Sequence, residues 1–131
     1  MLDGSAIMAF VATTDAARAC AFYEGKLWLR LESDEPYALV FDAGGTMLRV
    51  QKVRELAPHP FTALGWQVPD VTREVRSLVA AGVTFVRVAA LDQDEDAIWS
   101  APGGARVAWF KDPDGNTFSL TELPRDAERA R

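Results

Sequence analysis

The chain has 131 residues, 49% hydrophobic and 25% charged, enough to bury a core of its own and unlike a disordered segment. Its formal net charge of −5 repels phosphate backbones and argues against nucleic acid as a partner. No apolar run approaches the ~20 residues of a membrane span. Met1–Phe10 lacks the basic start of a signal peptide, and the lone Cys20 excludes an internal disulfide. The expectation is a cytoplasmic protein with no membrane partner.

Ala6–Ala12 is a short apolar run that predicts a strand. Thr14 or Asp15 then caps a helix whose apolar residues Ala16, Ala19, Cys20, Tyr23 and Leu27 recur at helical spacing. Three strands follow, Leu29–Ser33, Tyr37–Asp42 and Thr46–Lys52, the last two joined by a glycine turn. The order then repeats. Thr62–Val68 is a strand, and Asp70 caps a helix with Val71, Val75, Leu78 and Val79 on its apolar face, closed by Gly82. Thr84–Val88 is a strand, and Arg106–Lys111 and Asn116–Glu122 form a hairpin around Asp-Pro-Asp-Gly.

Each half therefore reads βαβββ: module one spans about 6–52, module two about 62–122, and the proline-bearing stretch 53–61 links them. One helix covers only one face of a sheet. The expected fold is α+β within a single domain, residues 1–131. The two modules form a curved, mostly antiparallel eight-stranded sheet with helices on the outer face and a concave inner face for a small ligand.

Asp112, Asp114 and Asn116 sit two residues apart, like the opening of a calcium loop. An EF-hand loop needs Gly at its sixth position and Glu at its twelfth. Those positions hold Thr117 and Leu123. Pro113 and Asp114–Gly115 instead predict a tight turn between strands.

The paired βαβββ order, the segment TTDAARACAFYEGKL after the first strand and FKDPDGNTFSLTE near the end together resemble the vicinal oxygen chelate superfamily. This is the glyoxalase / bleomycin-resistance / extradiol-dioxygenase group, and the likeness runs over about residues 6–122. It implies a homodimer. In the family's enzymes it also implies a divalent metal held by His, Glu or Gln from four inner-face strands. The matching positions here are Met8, Arg49, Ala63 and Ser119. A soft thioether, a permanent cation, a methyl group and a weak hydroxyl make no site for a hard cation. The lone His59 lies in the linker. No metal and no cofactor are expected. The chain also departs from the family's Leu-Gly pair at Leu27–Trp28, and Trp28 is expected to turn into the core or, as the alternative, toward a neighbouring subunit.

Strand alternation assigns Leu48, Val50, Leu64, Trp66, Val68, Phe118 and Leu120 to the helix side. It leaves Met8, Phe10, Ala12, Met47, Arg49, Gln51, Ala63, Gly65, Gln67, Thr117, Ser119 and Thr121 inside. From this set the candidate ligand-binding residues are Met8, Phe10, Met47, Arg49, Gln51, Gln67, Ser119 and Thr121. Arg49 either clamps an anionic group or pairs with an internal carboxylate such as Glu122 or one from the acidic loop. Arg49 and Ser119 lie 70 residues apart but the helix caps Asp15 and Asp70 only 55, so module two carries extra chain. Most of it is Ala89–Gly104, an acidic loop that either stays solvated or walls the cleft, with Trp99 a further ligand-binding candidate that stacks on a planar ligand.

The functional expectation is a metal-free protein that binds a small organic ligand, anionic or planar, in the manner of the drug-sequestering members of the superfamily. The alternative is a lyase, isomerase or dioxygenase-like enzyme of the same group, with or without a metal. No catalytic residue stands out: Cys20 has no histidine beside it to activate it.

Overall fold

The computed structural model describes residues 1–125. The last six residues of the expected 1–131 domain lie outside them. The chain forms two compact units: Met1–Pro58 with Asp112–Asn116, and a second built from His59–Lys111 and the chain from Thr117 onward. The boundary at Pro58/His59 falls inside the proline-bearing linker.

The α+β class and the paired βαβββ order hold. In the first unit β1 (Met8–Thr13), α1 (Ala16–Tyr23), β2 (Arg30–Asp34), β3 (Ala38–Ala43) and β4 (Thr46–Lys52) follow in turn. Their sheet runs β1-β4-β3-β2, with β1 parallel to β4 and the other pairs antiparallel. The second unit holds β5 (Thr62–Gln67), α2 (Val71–Ala80), β6 (Trp99–Ser100), β7 (Arg106–Lys111) and β8 (Thr117–Glu122). Its sheet repeats the pattern as β5-β8-β7-β6. The strands are thus two four-stranded ladders rather than one continuous ladder of eight.

The repeat extends to the caps. Asp15 and Asp70 share one extended backbone conformation, and each side chain accepts an N–H three residues on, from Arg18 at 3.0 Å and Arg73 at 3.1 Å. At the other end of α2, Gly82 (φ 94°) donates to Val79 and Val83 to Leu78, a Schellman closure that needs the left-handed residue. Val71 and Val75 are buried, but Val79 is 54% exposed. It sits one step past the stripe and faces water rather than completing the apolar face. In the first unit Leu48, Val50 and Phe41 are buried on the face that receives Ala19, Phe22 and Tyr23 of α1, with Tyr23 against the Phe41 ring at 5.5 Å.

Two expectations are corrected. Thr84–Val88 is not a strand. Phe85 makes an isolated bridge to Phe110 and Val86 donates to Trp109 at 2.7 Å, after which the chain leaves the sheet. It returns at β6, where Trp99 pairs with Val107. The outer strand of this sheet is therefore split, and the excursion between its halves folds on itself. Arg87 donates to the carbonyls of Asp94 and Glu95, and the Gln93 amide bridges Val86, Val88 and Ala97. Secondly, Trp28 is not in the core: it is 86% exposed with φ 60°. It keeps the left-handed backbone that glycine suits best, without burial to offset the strain.

The Asp112–Asn116 turn joins β7 to β8 in sequence but belongs to the first unit. The Asp112 carboxylate, 4% exposed, accepts the Tyr23 hydroxyl at 2.5 Å, the Asp114 and Asn116 N–H groups, and the Asn116 side-chain amide. Asp114 accepts from Thr13 Oγ1, the Thr14 N–H and hydroxyl, and the Arg18 guanidinium. Gly115 (φ 89°) closes the turn, where a Cβ would come within 3.1 Å of Pro58. Burial, reinforced by the Asp112 charge and hydrogen bond, pushes the Tyr23 phenol far above its ordinary range, so it remains a donor. For Asp114 burial pulls upward, but hydrogen bonds from Thr13 and Thr14 and the charge of Arg18 outweigh it and hold the carboxyl below the usual carboxylate range.

Three substitutions test this. Trp28→Gly is expected to raise unfolding stability by about 1 kcal/mol in urea titrations, since it relieves the left-handed strain at an exposed position. Tyr23→Phe should cost roughly 1.5–3 kcal/mol, the range for a hydrogen bond to a charged group. Because the folded Asp114 carboxyl lies below its unfolded value near ~3.9, its contribution is full above that value and is lost as pH falls through the lowered folded one. Asp114→Asn should therefore destabilise the protein at neutral pH and flatten the acid limb of its stability curve; an unchanged acid limb would refute the assignment.

Candidate functional site

The face of each sheet turned away from its helix carries the candidate residues. In the first unit they form cross-strand rows: Met8–Met47–Asp42, Phe10–Arg49–Val40 and Ala12–Gln51–Ala38. Met8, Phe10 and Met47 are 47%, 51% and 41% exposed, large apolar groups that one unit leaves open to water. In the second unit the rows are Gly65–Ser119–Trp109 and Gln67–Thr121–Val107–Trp99. A Cβ at Gly65 would meet Ser119 Oγ at 2.5 Å, so the missing side chain leaves room for that hydroxyl.

Alternation misplaces one position. A bulge between Thr62 and Leu64 leaves Ala63 without a strand partner and sets Thr62 in register with Thr117, itself opposite Lys111. A row Thr62–Thr117–Lys111 results, which the sequence pattern did not assemble. No signal in the sequence marks that bulge.

Arg49 has a partner, and it is Glu35 rather than Glu122 or the acidic loop. Its guanidinium lies 3.0 Å from Glu35 Oε1, and the Glu35 carboxylate also accepts from Ser33. The hydrogen bond from Arg49, then that from Ser33, holds the Glu35 carboxyl below its ordinary range. Glu122 instead accepts the Val71 N–H and lies 3.6 Å from Arg106. A cleft of about 410 Å³ opens here, with Glu32, Glu35, Asp42, Met47 and Arg49 in its walls.

A second cleft, of about 470 Å³, lies within the second unit, walled by Phe61, Thr62, Val88, Leu91, Trp109 and Lys111 among others. Trp99 reaches it only indirectly: it stacks on Trp109 with ring centroids 6.1 Å apart. Val88, just before the acidic loop, and Leu91 within it contribute apolar groups to this wall. Two of the loop's carboxylates are engaged elsewhere: Asp94 accepts the Asp96 and Ile98 N–H groups, and Asp96 pairs with Arg76 at 3.0 Å. Cys20 is half-buried, and burial, then the charges of Glu24 and Asp34, push its thiol up, away from a nucleophile's range. His59 stacks on Phe61 at 4.9 Å.

The four positions that the resemblance matches to the family's metal ligands do not carry donors that suit a hard divalent cation. Met8 is an open thioether, Arg49 is a cation already paired, Ala63 has no donor, and Ser119 offers a hydroxyl. Among the described residues no group of three or more His, Cys, Asp or Glu side chains is placed to hold a metal. No helix among them is long and apolar enough to cross a membrane.

Two βαβββ units, each a mixed four-stranded sheet with one helix, define the class of fold. The chain belongs to the glyoxalase-like domain family, whose pattern matches residues 8–121. Its fold is that of a glyoxalase/bleomycin resistance protein/dioxygenase superfamily member from Sphaerobacter thermophilus, 23% identical with a TM-score of 0.73 over 93% of this chain and 99% of that one. A lactoylglutathione lyase from Agrobacterium tumefaciens is 20% identical, with a TM-score of 0.70 over 92% and 95%. A genomically encoded fosfomycin resistance protein from Listeria monocytogenes is 16% identical, with a TM-score of 0.73 over 96% and 98%. No curated protein sequence matches the chain.

The Arg49–Glu35 pair keeps access to water on both sides, so Arg49→Met is expected to leave the urea midpoint nearly unchanged. A large loss would mean that the pair holds the sheet together.

Proposed function

We propose that this protein binds a small organic molecule without a metal, in the manner of the sequestering members of its superfamily. The observation that carries this reading is the pairing of two features on the same sheet faces. Large apolar side chains, Met8, Phe10 and Met47, stand open to water, while the positions that hold a metal in relatives carry no suitable donors. Exposed apolar groups of this size need a reason in a water-soluble chain, and a ligand body that covers them supplies one. The neutral hydrogen-bonders Gln51, Gln67, Ser119 and Thr121 on the same faces would orient such a ligand.

Elemental analysis of the purified protein tests the metal half of the reading: the expected content is far below one equivalent. Tight, stoichiometric zinc, nickel, manganese or iron would sink it. Thermal-shift screening against planar drugs and small organic acids tests the other half. A true ligand at 100 times its dissociation constant stabilises by about 2.7 kcal/mol, and a library without one stabilising compound would count against binding.

A further inference from the structure

The two clefts differ in charge. In the first unit three carboxylates, Glu32, Glu35 and Asp42, wall the cleft against one cation, Arg49, which Glu35 already holds at 3.0 Å. An incoming anion there must displace Glu35 and approach two further carboxylates, whose charge Arg30 offsets only in part, at 2.6 Å from Glu32 and 3.6 Å from Asp42. The cleft of the second unit has one charged side chain in its described lining, Lys111, and no carboxylate. Lys111 forms no ion pair with any described carboxylate, and it is exposed. In a chain of net charge −5 this is a local positive site in apolar surroundings.

The bulge in β5 adds direction. It sets the Thr62 and Thr117 hydroxyls in one row with the Lys111 ammonium, so that hydrogen-bond donors lie side by side on one face of the sheet. The next residue on that face of β7 is Trp109. Its indole lines the cleft while Trp99 stacks against it. Phe61, also in the lining, is backed in the same way by His59, at 4.9 Å with the two ring planes nearly parallel. Both rings are thus held in set planes beside the donor row.

We propose that the cleft of the second unit takes a planar aromatic carboxylate. Its anionic group is bound by Lys111 with the Thr62 and Thr117 hydroxyls, and its ring lies against Trp109 and Phe61. The inference rests on the small-molecule reading above and moves the anion-binding role from Arg49 to Lys111. Charge complementarity selects the occupant: an uncharged aromatic gains the stacking but not the ion pair, and an aromatic amine meets a like charge.

The test uses the full chain with 2-naphthoate and its uncharged counterpart 2-naphthamide, measured by calorimetry and by quenching of tryptophan fluorescence. Naphthoate is expected to bind at least about tenfold more tightly than naphthamide, with a preference that shrinks as salt rises. Lys111→Met should abolish the preference and Lys111→Arg should restore most of it. Lys26→Met, which removes an exposed charge in the first unit, controls for net charge. Equal binding of the two probes, or a preference that survives Lys111→Met, overturns the assignment. So does a preference lost in Arg49→Met but kept in Lys111→Met. Failure of both probes to bind also overturns it, and leaves the broader reading to the ligand screen, whose probes reach either cleft.

Discussion

A carboxylate shielded from water, with four donors gathered around it, organises the first unit. Stripping an ion of water costs several kcal/mol, and an arrangement with fewer partners would not recover it. The Asp112 carboxylate is matched by a phenol, two backbone N–H groups and an amide. These donors come from α1 and from the turn itself, so the helix and the turn each require the other in place. Asp114 extends the same network to Thr13, Thr14 and Arg18, where β1 passes into α1. The cap at Asp15 is thereby set from two sides: by its own side chain on Arg18 and by the turn on the residues around it. Among the described residues no buried side-chain polar atom lacks a partner, which is what makes such a polar centre tolerable.

The clefts of the two units differ in lining because their charges are paired differently. In the first unit Arg49 is paired with Glu35, and the other two carboxylates of the cleft, Glu32 and Asp42, lie against Arg30. In the second, Asp94 of the acidic loop turns to its own backbone and Asp96 to Arg76, while Leu91 of the same loop lines the cleft. An acidic stretch of sequence thus borders a site without acidic lining.

Much of this was legible in the sequence. Period-two alternation correctly sorted Leu48, Val50, Phe118 and Leu120 from Met8, Phe10 and Met47, because burial on one face is what that pattern encodes. Asp15 and Asp70 announced both helix starts. What escaped was set by geometry that no local pattern records. The bulge that recruits Thr62 depends on how β5 meets β8, and the partner of Arg49, Glu35, lies just past the end of β2. The turn around Asp112 reads correctly as a turn, but its second role depends on a tyrosine 89 residues away. Trp28 is the opposite case. Its chemistry suggested the core, while the left-handed backbone at that position overruled it.

The split outer strand of the second unit has a consequence for how such a protein can change. Phe85–Val86 and Trp99–Ser100 are each anchored to β7, and the chain between them leaves and rejoins the sheet without altering the pairing on either side. Residues can be gained, lost or exchanged within that excursion while β7 and β8 keep their register. Its tip supplies Val88 and Leu91 to the cleft. Changes confined to that stretch therefore alter the wall of the cleft while the pairing of β7 with β8 stays as it is.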